Sequence, residues 1–182
     1  MLQLNFRPFP ELVTPNLRLR QIVPSDADEL VFLRSNEITM KYIDKEKTKS
    51  REEALNLIKK ITDDINAGIG INWGITLKNE NNLIGTIAYW RTILEHYRAE
   101  IGYMLHPDFN GRGLMSEAMK EVIRYGFDEM NLHSIEANVN PENIVSKKIL
   151  EKFGFKQEAY FRENFYFKGK FLDSAIYSLI KT

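Results

Sequence analysis

Apolar and polar positions alternate from Leu17 to Val23 in LRLRQIV, and that period of two predicts a strand. Pro24 and Ser25 end it. Ser25 is expected to cap a helix whose first turn carries Asp26 and Asp28, acids suited to the positive end of a helix dipole. Beyond a lysine-rich loop between Asp44 and Ser50 the spacing changes to three and four. Ala54, Leu57, Ile58, Ile61 and Ile65 form one stripe, with Ser50 and Glu53 as a capping box and Gly68 as the stop. Alternation returns in NWGITLK and LIGTIAYWRTI, joined as a hairpin by the polar turn Asn79-Glu80-Asn81-Asn82, and again in RAEIGYML, which extends an antiparallel meander.

The second half of the chain follows the same logic. Met115, Ala118, Met119, Val122, Ile123, Phe127 and Met130 fall on one side of a helix predicted from Leu114 to Met130. SIEANVN (134–140) reads as a strand. Asn140 is expected to cap another helix, with Pro141 at its first position and Phe153 at its end before Gly154. Two aromatic strands close the chain, FKQEAYFRENFYF and KFLDSAIYSLIK, with Lys168-Gly169 as the turn. Tyr160, Phe161, Phe165, Tyr166, Phe167 and Phe171 are expected mostly in the core and in cross-strand pairs, a few of them, with Trp90, walling a groove. The order β-α-α-β-β-β-α-β-α-β-β predicts an α/β (α+β) fold, a mixed, mostly antiparallel sheet of about seven strands flanked by about four helices. Residues 1–182 are expected to form one domain.

Composition narrows the chemistry. Lysine plus arginine equals aspartate plus glutamate, 25 against 25, so no global field favours nucleic acid or an anionic membrane. The absence of cysteine excludes disulfides, thiolate metal sites and a cysteinyl intermediate. His96, His106 and His133 are too scattered for a metal site or a triad, and no metal is expected; His106 reads as a loop-edge residue before Pro107. No apolar run has the length of a membrane span or a secretory leader, which points to the cytoplasm.

Two stretches carry candidate chemistry. In HPDFNGRGLMSEAM, Gly111 and Gly113 precede a helix start. They form either a tight turn from strand to crossover helix or a cradle whose bare amides hold an anion. A Walker A ending is missing, and Ser116 stands where a Rossmann fingerprint needs its third glycine, so the anion is a diphosphate of another kind. In NVNPENIVSKKILEKFGF, Asn143, Ser146 and Leu150 share a helix face, and with Asn140 as the cap the first two have no obvious local role and are either solvated surface or part of a site.

At these two stretches together the chain resembles the GNAT acyl-CoA N-acyltransferase superfamily. NGRGLM occupies the family's Gln/Arg-x-x-Gly-x-Gly/Ala motif, departing from it at Asn110 and Met115. NLRLRQIVPSDADEL, AEIGYMLHPDFNGRG and YFRENFYFKGKFLDSAIYSLI look most like ribosomal-protein serine/alanine N-terminal acetyltransferases. The resemblance implies acetyl-CoA as co-substrate, bound by Met104, Leu105, Asn110, Gly111, Arg112, Gly113, Leu114, Met115, Ser116, Asn143 and Ser146, with Lys147 or Lys148 near the 3′-phosphate. It implies Glu100 as general base and the Met104 N–H as donor to the thioester oxygen. Ser146 is the implied acid, because Leu150 stands where many relatives carry a tyrosine. The implied acceptor is a protein or peptide N-terminal α-amine, of the ribosomal-protein type. The alternatives are a small amine (polyamine, amino acid or antibiotic) or a CoA-binding module without turnover, with no nucleic-acid or membrane partner and either a monomer or a homodimer.

Overall fold

A computed structural model of the chain describes residues 1–181. Its strands are β1 (Leu12–Val13), β2 (Leu17–Gln21), β3 (Ile71–Leu77), β4 (Gly85–Ile93), β5 (Arg98–Leu105), β6 (Ser134–Val139), β7 (Lys156–Phe167) and β8 (Lys170–Ile180). Its helices are α1 (Ala27–Ser35), α2 (Glu37–Met40), α3 (Arg51–Asn66), α4 (Leu114–Asp128) and α5 (Ile144–Lys152). The predicted order is present, with two additions. β1 is too short to show a period, and α2 is a single turn whose first amides, Ile38 and Thr39, are satisfied by the Asn36 side chain.

All eight strands belong to one sheet, ordered β1-β2-β3-β4-β5-β6-β8-β7. Every neighbouring pair is antiparallel except β5 with β6, which are joined through the crossover helix α4 and run parallel. The parallel pair is short. It covers Arg98↔Ser134, Ala99↔Ile135 and Glu100↔Glu136 and then stops, while β5 continues to Leu105, still paired with β4 at Gly85. The sheet is therefore split in its middle, open on one side of β5 from Ile101 onward.

Each face of the sheet carries helices. Met119 and Val122 of α4 bury themselves against β3 and β4, where the Tyr89 hydroxyl donates to the Val122 carbonyl (2.9 Å) and Trp73 meets Tyr125 edge-on (5.3 Å). Gly126 allows this approach, since a Cβ there would lie 2.4 Å from the Tyr89 hydroxyl oxygen. On the opposite face Leu30 and Leu33 of α1 and Ala54 and Ile58 of α3 pack with Ile22 and Leu83. Both α3 and α5 end in paired bonds that place a left-handed glycine after the helix. Ile69 and Gly68 donate to Asp64 and Ile65, and Phe155 and Gly154 donate to Leu150 and Glu151.

Four local expectations are corrected. Ser25 caps nothing: Pro24–Asp26 is a 3₁₀ turn, and Asp26 accepts from the Val23 N–H (2.8 Å) while forming a two-pronged ion pair with buried Arg20 (2.7 and 2.8 Å). Ser50 does cap α3, but the Glu53 carboxylate reaches the Lys49 amide rather than that of Ser50. Asn140 does not cap α5. Residues 140–143 form a turn in which its side chain accepts from Glu142, so the helix starts three residues later with Asn143 as its cap. Finally, the aromatics of the last hairpin are mostly outside the core: Tyr160, Phe161, Phe165, Tyr166 and Phe171 are exposed, because β7 is an edge strand without a helix over it. The cross-strand pair Tyr166–Phe171 is present, with ring centroids 5.1 Å apart.

Candidate active site

The split sheet and the start of α5 meet at one cavity of about 640 Å³, and the glycine loop follows the end of β5 outside its lining. It passes from the α5 side, lined by Tyr103, Val139, Asn143 and Ser146, to the opposite face, lined by Glu100, Met104, Trp90 and Arg34. Strand alternation explains the two sides. Residues 99, 101 and 103 of β5 point toward α4 and α5, and residues 100, 102 and 104 toward α1 and α3.

The same alternation reassigns one role. His106 donates from its amide to Ile84 across β4, Tyr97 accepts from Ser134 of β6, and a Cβ on Gly85 would lie 2.6 Å from the Met104 carbonyl oxygen. Backbone groups of even-numbered residues in β5 therefore face β4, and those of odd-numbered residues face β6. The Met104 N–H is directed at β4 and is not free to serve the cleft. The amides that border the opening are those of Tyr103 and Leu105. Met104 contributes its side chain to the cavity wall instead.

The glycine loop is shaped by what it lacks. Gly111 and Gly113 have φ of 75° and 77°, and a Cβ on either would meet nothing within 4 Å, so packing does not require glycine there. The Asn110 amide is used, donating to Pro107. No hydrogen bond among the described residues uses the amides from Gly111 to Ser116, and Glu117 is the first to close onto the helix, at Gly113 (3.0 Å). Glu117 is the acid in the first turn, and its carboxylate is turned away to accept from the amide and side chain of Asn16 (2.8 and 3.0 Å). A row of bare donors at the positive end of a 15-residue helix suits a diphosphate, the group that acetyl-CoA would present. Arg112 is exposed at the rim over the Phe109 ring, whereas Leu114 and Met115 anchor the helix start in the core. Lys147 is half-buried, Lys148 is exposed, and neither is ion-paired among the described residues.

Ser146 has a partner that sequence reasoning missed. Its Oγ lies 2.6 Å from the hydroxyl of Tyr103, 43 residues away and on the other lip of the cleft. Burial pushes the Tyr103 hydroxyl up to about 12, against the opposing effect of the Ser146 hydrogen bond, so it stays protonated at neutral pH. Where many relatives are expected to hold a tyrosine on α5, this chain has Leu150, wholly buried. The phenol comes from the strand instead.

Glu100 is 7% exposed at the point where β5 and β6 part. Burial, and then the like charge of Glu136, push its carboxyl up from the ordinary range, while Arg91 opposes this through an ion pair of 3.1 Å. Arg98 is engaged elsewhere, with Glu136 at 3.4 Å. The irregular pairing after Trp90, with Arg91 at φ 47°, brings Arg91 to Glu100, and nothing in the local pattern announces it. His106 stacks on Phe32 and accepts from the Asp108 amide, a structural role. Among the described residues no cluster could hold a metal, and no helix is long and apolar enough to cross a membrane.

Comparison with known proteins agrees with this architecture. The family model for the acetyltransferase (GNAT) domain matches residues 16–156. The chain is 36% identical to the uncharacterised N-acetyltransferase YoaA of Bacillus subtilis (strain 168) over 173 residues, 95% of this chain and 98% of that one. Relatives with named acceptors include two of different class. One is the ribosomal protein uS5-alanine N-acetyltransferase of Escherichia coli (strain K12), 28% identical over 62% of this chain and 58% of its own. The other is the spermidine N(1)-acetyltransferase of Vibrio cholerae (serotype O1), 27% identical over 86% and 88%. The crystal structure of a GNAT-family acetyltransferase from Bacillus anthracis superposes with a TM-score of 0.82 at 29% identity, covering 94% of this chain and 98% of that one. The chain belongs to the GNAT family and is an acetyl-CoA-dependent N-acetyltransferase.

Proposed function

We propose that this single acetyltransferase domain acetylates a primary amine by direct attack within a ternary complex, and that the amine is a protein or peptide N-terminal α-amine of the ribosomal-protein type. The observation that carries the reading is the through-going cleft, with Tyr103, Asn143 and Ser146 on one side of the sheet and buried Glu100 on the other, beside a helix start at Gly113 whose first amides are bare. The relative that acetylates the uS5 alanine supports this acceptor class.

Each residue has one task in this scheme. The amides from Gly111 to Ser116 hold the diphosphate of acetyl-CoA, and the Tyr103 and Leu105 amides, together with Asn143, align the arm that leads to the thioester. Positioning both reactants supplies most of the rate, an effective molarity on the order of 10⁵ M or more. Glu100 takes a proton from the ammonium through water, freeing the amine lone pair to form the C–N bond. One free N–H at the open edge of β5, from Tyr103 or Leu105, donates to the carbonyl oxygen as negative charge develops there. Tyr103 donates to Ser146, and Ser146 donates to the sulfur as the C–S bond breaks.

The test is release of free thiol from acetyl-CoA with N-terminal peptides, polyamines and amino acids as acceptors. Peptides are expected to be turned over with the highest kcat/KM, and preference for a polyamine would overturn the acceptor assignment. The pH profile tests the base. Because burial disfavours the carboxylate, kcat/KM should rise with pH along a limb whose midpoint lies above the ordinary glutamate range, as Glu100 loses its proton. Glu100→Gln should remove that limb and lower kcat/KM by about 10²-fold or more. A limb that survives the substitution would assign the base elsewhere.

A further inference from the structure

The cavity on the acceptor side gathers its cations at one end. Arg34 ends α1 inside it, held through Nε by the Thr48 hydroxyl (3.2 Å). Lys45, from the loop after α2, places its ammonium 3.8 Å from the centre of the Trp90 ring, and the Arg91 guanidinium lies 4.5 Å from the same ring. Lys60 of α3 completes the wall. Among the described residues no carboxylate comes within 4.0 Å of the charged nitrogens of Arg34, Lys45 or Lys60. Four acids and four cations line the cavity, so its charge balances as a whole, but the cations are gathered at one end: the charges acting on Lys45 are Arg34, Arg91 and Lys60, with Glu100, itself paired to Arg91, as the one acid among them.

Arg34 is half-buried without a carboxylate partner, and a cation so placed gains from an anion brought beside it; Lys45 and Lys60 are more exposed. Burial pushes Arg34 down from its ordinary value, and burial together with the like charges of Arg34 and Arg91 does the same to Lys45. We infer that the acceptor carries a carboxylate close to its reactive amine, received by Arg34 and Lys45 beside Trp90 while the amine meets Glu100. This rests on the acetyl-transfer reading of the site and specifies its substrate class. A guanidinium and an ammonium on one wall complement a carboxylate, whereas a polyamine would bring two or more positive charges beside the cations gathered at that wall. The carboxylate can belong to a side chain in the first residues of an acidic peptide or to a free amino acid.

The experiment compares matched acceptors: an N-terminal peptide with Asp or Glu at positions two and three, the same peptide with Asn and Gln, a free amino acid and its amide, and spermidine. Thiol release measures turnover, and calorimetry measures binding to the protein preloaded with CoA. Acceptors with the carboxylate should bind about 10-fold or more tightly than their neutral counterparts. The peptide and amino-acid arms tell which source of carboxylate the pocket takes. Lys45→Met and Arg34→Gln should each bring the ratio of affinities for the carboxylate and neutral acceptors close to one, read against each variant's own turnover of the neutral peptide and its Tm; a ratio unchanged in Lys45→Met would overturn the inference. Turnover without charge discrimination in either assay would overturn the inference and leave acetyl transfer standing. Discrimination in binding without turnover of any acceptor would do the reverse.

Discussion

Two helices follow the two strands that part at the middle of the sheet, α4 after β5 and α5 after β6, and they begin differently. α4 starts at Gly113, which has no side chain to offer, and its first amides are left bare. α5 starts at Asn143, whose Oδ1 accepts the Ser146 amide at 3.1 Å, so its positive end is already served from within the chain. A helix start that caps itself is a fixed platform, and one that does not is a receptor. The chain uses both: α4 to take an anion, α5 to hold Ser146 still against Tyr103. The two polar stretches that look equivalent in the sequence therefore do different work.

The largest effect should come from filling the receptor. Gly113→Asp adds a carboxylate where the diphosphate charge is expected, and like charges in contact cost several kcal/mol, so KM for acetyl-CoA should rise by about 100-fold. Nothing within 4 Å opposes the new Cβ, and only the left-handed backbone resists, so stability should fall by no more than about 1 kcal/mol. Equal loss of stability and affinity would make the loop a structural turn.

The platform is tested next, through the pair it supports. Tyr103→Phe and Ser146→Ala should each lower kcat by about 10-fold, the cost of a hydrogen bond to a group that becomes charged, with KM for acetyl-CoA little changed. In the double variant the losses should not add, because one relay has been cut twice. Additive losses would mean that the two hydroxyls act separately.

How much of this could be read beforehand follows from the range of the interactions. Periods of two and three to four are local, so β2 to β8 and the two long helices α3 and α4 were legible to within a residue or two, as was the loop at Gly111 and Gly113. Capping was less so. Asn140 and Asn143 both precede α5, and Pro141 favours the first as cap; the turn at 140–143 decides for the second, and no sequence period encodes that turn. The site itself is assembled across the chain. Tyr103 reaches Ser146 only because β5 and β6 separate after Glu100, and Arg91 reaches Glu100 only through the irregularity after Trp90. Arg34, Lys45 and Trp90 come from three separate segments. Positions set by where strands stop pairing leave no mark on local hydropathy.

The smallest expected effect is also the most discriminating, because Asn143 stands at the boundary between the two kinds of helix start. Its Oδ1 is committed to the cap, while its Nδ2 remains as a donor on the cavity wall. Asn143→Ala removes both functions. It should cost about 1 kcal/mol of stability, lowering Tm by about 3 °C in a chain of this size, and raise KM for acetyl-CoA by about threefold, the worth of one neutral hydrogen bond. Asn143→Asp keeps the accepting oxygen and removes the donor. It should return Tm to the starting value, or slightly above it, since a carboxylate also suits a helix start. KM should stay raised. If the aspartate restored both quantities, Asn143 would be a cap alone, and α5 would meet the co-substrate only through Ser146. If it restored neither, the cap at 3.1 Å would contribute nothing measurable, and the contrast between the two helix starts would fail at its structural end.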